Sequence, residues 1–308
     1  MRLGLRPFIG RLRWIRDYPP YYEDPTRFAL RTLLFTWREQ LAGGDLEFEA
    51  CGGCLFRSPR NNISSFIAAI FGQRDLNITR FWRRALPPGS VFFDIGGNIG
   101  LYAVPASQQV GGAGCVVSFE AHPAIYGYLL SNVARNCDGN ITVENLAVGS
   151  ESGETRIAFN GRNPGESHIA TRTEQGETVP VVALDDYCAR RGIARIDYIK
   201  IDVEGFEANV LRGARAMIAA NPSILIQTEY EPQHLSRYGQ PTEMADLLIG
   251  WGFRPHCVNW TDGAPMPLDS LENYAGEIVW SREELCREDW QPALLRRQPQ
   301  PAEASAAD

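Results

Sequence analysis

Lysine is almost absent from this sequence. Lys200 is the only one, and the other 29 of the 30 basic residues are arginine (30 − 1 = 29). A bias that complete reads as genome composition, not as a site. Positive charge is also in deficit: 30 basic residues face 37 acidic ones, a net charge of −7. An extended nucleic-acid footprint needs a basic face that displaces phosphate counterions, so no nucleic-acid partner is expected. No run of 18 apolar residues occurs, so no membrane-spanning helix is expected. The N-terminal stretch "MRLGLRPFIGRLRWIRDYPP" lacks an unbroken apolar core and a small-residue cleavage site, and is a poor secretion signal. Its basic, apolar and aromatic mixture allows a weak peripheral membrane contact, against a helix packed on its own domain. The cysteines (Cys51, Cys54, Cys115, Cys137, Cys188, Cys257 and Cys286) are odd in number and scattered. They fit reduced thiols in a cytoplasmic protein better than a disulfide framework.

What is present is ordinary globular texture, 44% hydrophobic and 22% charged. Residues 1–88 read as an N-terminal extension. "TRFALRTLLFTWREQLAG" has helical spacing and a glycine stop. "DLEFEACGGCLFRSP" reads as a hairpin turning at Gly52-Gly53. Cys51 and Cys54 have zinc-like spacing, but no second pair completes four ligands, so the hairpin reading is preferred. Trp14, Trp37 and Trp82 read as packing residues rather than a sugar platform.

From Val91 strands and helices alternate, which implies βαβ units around a mainly parallel sheet. The strand segments are "VFFDIGG", "CVVSFEA", "ITVENLAVG", "IDYIKIDVEG", "SILIQTEY", "FRPHCVNW" and "YAGEIVWS". Residues 150–180 read as a polar, glycine-rich stretch with two short strand-like pieces. Residues 89–281 form the expected main domain, and 282–308 a tail with a frayed end. Such a sheet carries its ligand beyond the carboxyl ends of its strands, where the strand order reverses.

The segment "VFFDIGGNIGLYA" places Asp94 at a strand end, before a turn containing Gly96, Gly97 and Asn98, with Gly100 opening a helix. Glycines let the backbone approach a ligand closely, and free N–H groups favour an anionic group there. Glu120 ends the next strand, where a carboxylate can accept hydrogen bonds from ribose hydroxyls. The G-G-N-I-G spacing departs from the dinucleotide G-x-G-x-x-G, and no Lys-Ser/Thr follows to make a P-loop. A nicotinamide-dependent enzyme and a non-catalytic nucleotide-binding protein are the competing readings.

Around this turn lie "FEAHP", "NLAVG", "VVALDDY" and "YIKIDVEGFEANVLRGA". Together they look like the FkbM family of class I S-adenosylmethionine-dependent methyltransferases, over roughly Ser90 to Ser281. The resemblance implies a Rossmann-like α/β fold with a mostly parallel seven-stranded sheet. It also implies S-adenosylmethionine as cofactor, and methyl transfer generally to oxygen, often on sugars or polyketide-type products. It implies cofactor contacts by Asp94, Gly96, Asn98 and Glu120, with Asn145 and Ala147 near the adenine, and it puts Asp202 and Glu204 at the reaction centre.

The chemistry points to the same residues. Methyl transfer from a sulfonium needs alignment first, and a hydroxyl acceptor must also lose a proton. "KIDVEG" puts Asp202 and Glu204 at the ligand edge, and Glu229 ends the next strand. Two neighbouring carboxylates raise one another's pKa, which suits a base near neutral pH. Glu204 is the first choice for acceptor binding or proton removal, Asp202 for orienting acceptor or cofactor amine. Glu207 fits a helix-start role. No metal is expected, although a Mg²⁺ ion bridging Asp202 and Glu229 is chemically allowed. His122 is read either beside the adenosine or as turn packing. His168 sits in a loop able to cover the site. His234 and His256 receive no role. Neither the acceptor, a small molecule or glycan, nor an oligomeric state can be read here, and nitrogen stays open as acceptor atom.

Overall fold

The computed structural model describes residues 5–16, 18–160, 163–171 and 173–285. The expected frayed end falls outside them, as does Cys286.

The leader contributes α1 (Leu5–Ile15), α2 (Pro25–Leu41), a hairpin of β1 (Leu46–Ala50) and β2 (Cys54–Ser58), α3 (Ile63–Phe71) and α4 (Leu76–Ala85). Its starts and stops are written locally. Asp24 caps α2 by accepting from the Arg27 N–H, with Pro25 in the first turn, where no N–H is needed. Asn62 caps α3 through the Ser65 N–H. The hairpin pairs Phe48 with Phe56 and buries alternate residues, as its sequence anticipates. Cys51 and Cys54 are buried there, the Cys54 thiol facing the Cys51 carbonyl. Trp82 is core and Trp14 packs on Phe66, but Trp37 is partly exposed on α2.

The remaining chain runs β3 (Val91–Ile95), α5 (Ala103–Val110), β4 (Cys115–Phe119), α6 (Pro123–Asn136), β5 (Ile141–Glu144), β6 (Ala147–Gly149), β7 (Gly153–Ala158), β8 (His168–Ile169), β9 (Glu177–Ala183), α7 (Leu184–Arg191), β10 (Tyr198–Ile201), α8 (Glu207–Gly213), α9 (Arg215–Ala220), β11 (Leu225–Tyr230), α10 (Pro232–Leu235), α11 (Glu243–Gly250), β12 (Arg254–Val258), β13 (Pro265–Pro267) and β14 (Gly276–Ser281). The main sheet has the order β13-β12-β14-β11-β10-β3-β4-β5. β5, β4, β3, β10 and β11 are mutually parallel, and β14 enters antiparallel between β11 and β12. The α/β class is as expected, but the sheet has eight strands, not seven. The extra one, β13, is a three-residue edge piece returning on β12.

Central strands such as "YIKI" and "VFFDI" are buried almost throughout, because helices cover both faces. Phe92, Tyr198, Val116 and Val279 point to one face and share a core with Phe56, Ile78, Phe81 and Trp82 of the leader. Phe93, Ile95, Ile199, Ile201 and Ile226 point to the other, against α7, α8 and α11.

Two local expectations need correction, and a third segment is filled in. "ITVENLAVG" is two strands, because Asn145-Leu146 leaves the main sheet and β6 joins another one. Residues 150–180 hold the two short strand-like pieces expected, β7 and the start of β9, and with β6 and β8 these form a four-stranded sheet packed through Ala147, Ile157 and Val179. Gly100 does not open a helix. It has φ +94, the chain passes through turns to Tyr102, and α5 starts at Ala103.

The strand order reverses between β3 and β10. There Gly96, at φ +86, presses against the Asp202 carbonyl, so that a β-carbon would overlap it. Gly96→Ala should therefore lose at least ~2 kcal/mol of stability, from left-handed strain plus the overlap. Gly127→Ala, on an exposed turn of α6 with open space around it, should gain ~0.5–1 kcal/mol. Denaturant melts of the two variants read the contrast.

Candidate functional site

One cleft lies over the carboxyl ends of β3, β4, β10 and β11. Its lining includes Gly96, Asn98, Glu120, Ala147, Asp202, Glu204 and Glu229. Seven of the expected site residues therefore meet in one cavity. Four others stand behind its wall. Asp94 is fully buried, accepts from the Ser118 hydroxyl at 3.2 Å and lies 3.7 Å from the Lys200 ammonium. It does not line the cleft, and its carboxyl is engaged by Ser118 and Lys200. Gly97 and Gly100 face the protein interior, against Ser118 and Leu129. Asn145 is a staple: its amide donates to the Glu120 and Ala121 carbonyls at 2.8 and 3.2 Å, locking the exit of β4.

At one end, Glu120 is held by two backbone donors. Its Oε2 accepts from the Asn98 N–H and its Oε1 from the His122 N–H, both at 2.8 Å. Each oxygen keeps a lone pair for a ligand hydroxyl. Burial pushes the carboxyl up to about 7, and the two N–H donors oppose that shift. Asn98 adopts φ +49 and its Oδ1 accepts from Asn62 Nδ2 at 3.0 Å, which ties the turn to the leader. Phe119, Ile125, Leu146 and Ala147 give this end an apolar flank. His122 caps α6 and stacks on Phe159 at 4.1 Å, so of its two readings turn packing is observed. His168 lines the cleft and its Nε2 lies 3.1 Å from Glu174.

At the other end are the carboxylates. Glu204 sits at φ +58, a conformation that costs a non-glycine residue about 1–2 kcal/mol. Three contacts hold it there. Arg237 donates to its carbonyl at 2.8 Å, Gly205 packs on the His234 carbonyl with no room for a side chain, and Glu207 accepts from the Val203 and Gly205 N–H groups. Glu207 thus has the helix-start role expected of it. The Glu204 carboxyl then faces His234 Nδ1 at 3.1 Å, and Glu229 faces the same nitrogen at 3.7 Å. These are ion-pair approaches; the nitrogen has no aligned hydrogen bond. Burial, then repulsion from Asp202 and Glu229, pushes Glu204 up to about 9. Glu229 is raised by burial and Asp202, with His234 opposing. His234 is raised by the Glu229 carboxylate against burial. Glu204, Glu229 and His234 offer ligand atoms within 4.8 Å of one another, a donor set a divalent ion would accept.

Two residues that sequence reading set aside are central here. His234 completes the carboxylate cluster; its only signal was its place five residues beyond Glu229. Lys200 is 1% exposed and sits between strand ends, 3.1 Å from Asp202 Oδ2, 3.4 Å from the Gly96 carbonyl and 4.5 Å from the Tyr102 ring centroid. Burial alone would lower its pKa, but Asp202 and Asp94 outweigh that and keep it charged.

Comparison with known proteins gives a match over the middle of the chain. The model of the methyltransferase FkbM domain matches residues 94–255. The 31-O-demethyl-FK506 methyltransferase FkbM of Streptomyces tacrolimicus is 32% identical over 159 residues, covering 42% of this chain and 60% of that protein. The hexuronic acid methyltransferase AglP of Haloferax volcanii is 28% identical over 147 residues, covering 46% and 56%. The chain thus spans at most 60% of the length of these curated relatives. The crystal structure of Methyltransferase FkbM from Methylobacillus flagellatus KT aligns with a TM-score of 0.43 at 17% identity, over 70% of this chain and 52% of that one.

The buried lysine generates a direct test. Lys200→Met leaves Asp94 and Asp202 without their cation and should cost ~3–5 kcal/mol of stability. Adding Asp94→Asn should recover part of the loss. Urea unfolding of the single and double variants measures both, and an additive double variant would show that the two groups are not coupled.

Proposed function

The chain belongs to the FkbM methyltransferase family, and from that premise we propose that it moves a methyl group from S-adenosylmethionine to a hydroxyl oxygen of a sugar, a glycan or another small molecule. One observation carries the reading. A single cleft has a pre-oriented, hydroxyl-accepting carboxylate at one end and a proton-accepting cluster at the other.

The residues present fit S-adenosylmethionine. Glu120 would take the ribose hydroxyls, the flank of Phe119, Ile125, Leu146 and Ala147 would take the adenine, and the turn at Gly96–Asn98 leaves backbone room for the amino-acid end. When bound, the cofactor supplies a methyl group already activated on a sulfonium. The protein's remaining tasks are alignment and proton removal. Asp202, fixed by the Lys200 ammonium, can orient the acceptor. Glu204 takes the acceptor proton at its carboxyl oxygen. His234 and Glu229 share the resulting charge, so the proton need not stay on one atom. The names of the two curated relatives, one acting on a hexuronic acid and one on a demethylated natural product, support oxygen as the acceptor atom. Among the described residues no helix is long and apolar enough to cross a membrane, and unpaired Cys51, Cys54 and Cys188 suit a reducing cytoplasm. We also propose residues 89–281 as the catalytic domain, with 1–88 as its extension.

Isothermal titration should show binding of S-adenosylmethionine and none of NAD; binding of NAD alone would end this reading. Affinity for the cofactor should weaken as the pH falls below about 7, because protonated Glu120 loses an acceptor oxygen. Glu204→Gln should leave that affinity intact and lower turnover by ~10²-fold or more. Turnover of the parent enzyme should rise between pH 7 and 9, as a carboxyl raised to about 9 gains its basic form only with increasing pH. Activity should persist in EDTA. Loss in EDTA, restored by Mg²⁺ or Mn²⁺, would reassign Glu204, Glu229 and His234 as metal ligands.

A further inference from the structure

A second cavity adjoins the cleft and shares two lining residues with it, Arg74 and Glu229. Every other residue of its wall lies outside the matched span 94–255: residues 18–77 supply one side and residues 257–277 the other. These two segments are fastened together. Asn77 donates to the Val258 carbonyl at 3.0 Å, Arg80 donates to the Trp260 and Thr261 carbonyls at 2.5 and 2.8 Å, and Gly263 is seated on α4. The ring of Tyr18 meets Trp260 edge-on at 6.5 Å.

We infer that this cavity is the acceptor site, and that its ligand is a neutral polyhydroxylated ring such as a pyranoside or cyclitol. The inference rests on the methyltransferase reading above and supplies its substrate class. Three features specify the ligand. Half-buried Tyr18, Trp260 and Tyr274 offer faces for the C–H side of a ring. The polar wall consists largely of groups that accept hydrogen bonds: Asp75, Asn77, Glu229 and Glu277. Asn77 is the sharpest of them. It is 6% exposed, its amide nitrogen is used, and its buried Oδ1 has no partner. A buried acceptor left alone is costly, and a ligand hydroxyl is the donor it lacks.

The lack of a free cation disfavours the anionic alternatives. Arg74, the one cation in the wall, lies 3.7 Å from Asp75, whose other oxygen accepts from the Tyr102 hydroxyl. Glu229 and Glu277 remain, and burial raises both, which favours their uncharged form and offers an anion no counter-charge. A uronate or phosphorylated sugar would meet carboxyl groups with no free cation. A hydroxyl can donate to the same groups. Glu229 stands in both cavities, so a ring bound in the second presents a hydroxyl towards Glu229 and Glu204 in the first.

The experiment is a transfer assay with radiolabelled S-adenosylmethionine over methyl glucoside, methyl mannoside, myo-inositol, methyl glucuronide, glucose 1-phosphate and hexanol. Neutral rings should be methylated. Asn77→Ala and Trp260→Ala should each raise their KM by about 10-fold or more, with the affinity for S-adenosylmethionine unchanged. That affinity and the melting temperature confirm that each variant is folded. Methylation confined to the uronide, phosphate or hexanol, methylation of none of the panel, or KM values indifferent to both substitutions would overturn the proposal. Saturation-transfer NMR of methyl glucoside reads the cavity without the donor. A protein that ignores S-adenosylmethionine yet binds the glycoside through Asn77 and Trp260 would refute the methyltransferase reading alone.

Discussion

The site depends on one buried cation. β3 and β10 end side by side where the strand order reverses, and each ends in a carboxylate, Asp94 and Asp202. Asp94 is fully buried and sits in register with Lys200, and Asp202 follows just beyond the end of β10, so without a cation the two acids would repel the strands that the fold needs adjacent. Lys200 lies one position before Ile201, the last residue of β10, and its ammonium reaches Asp202, Asp94 and the Gly96 carbonyl. It converts a repulsive pair into a clamp, and the clamp sets how closely the glycine turn approaches β10. Gly96 can use that closeness because it has no side chain, and the cleft opens just beyond it. The cation is enclosed on its remaining side by the Tyr102 ring, so solvent does little to weaken these contacts.

The fold was legible because its signals are local and repeated. Glycine after β3, glutamate after β4 and "KIDVEG" after β10 are spaced by whole βα units, and the parallel order follows from that spacing. Glu120, Asn98, Ala147, Asp202, Glu204 and Glu229 could be placed on one edge for the same reason. Lys200 was not legible, since a lone lysine in an apolar strand looks like a compositional remnant, and only the pairing of β3 with β10 shows what surrounds it. Asp94 was legible only in part. The sequence shows that it ends a strand beside the turn, but not which way its carboxylate faces, and the clamp draws it inward. Asn145 has an amide and a turn position, equally suited to a ligand and to a staple; the exposed carbonyls of Glu120 and Ala121 decided for the staple.

Residues 150–180 show a further limit. Polar composition and glycines left two strand-like pieces legible but not their pairing with β6 and β8 into one sheet, because these short strands bury few residues each, Ala147, Ile157 and Val179 among them. The leader is an extension that shares the domain's core: Phe56, Phe81 and Trp82 lie in the same apolar cluster as Phe92 and Tyr198. Helices α3 and α4 gave no distinct sequence signal, although they complete the cover of one sheet face; α4 supplies Asn77 and the turn between them Arg74.

The middle of the chain matches the family, whereas the wall of the second cavity comes mostly from the ends. The matched span contains the glycine turn, the Glu120 carboxylate and the strand-end acids. None of these sees the far side of Glu229. That side is closed by Tyr18, Arg74 and Asn77 from before the span and by Trp260, Tyr274 and Glu277 from after it. The two segments are held together by hydrogen bonds from side chains to backbone carbonyls, Asn77 to Val258 and Arg80 to Trp260 and Thr261. Backbone carbonyls remain when side chains change, so the exposed rings and acids of this wall can be exchanged without loosening it. A pocket built this way can be altered in its contacts while the reaction edge, clamped by Lys200, stays as it is.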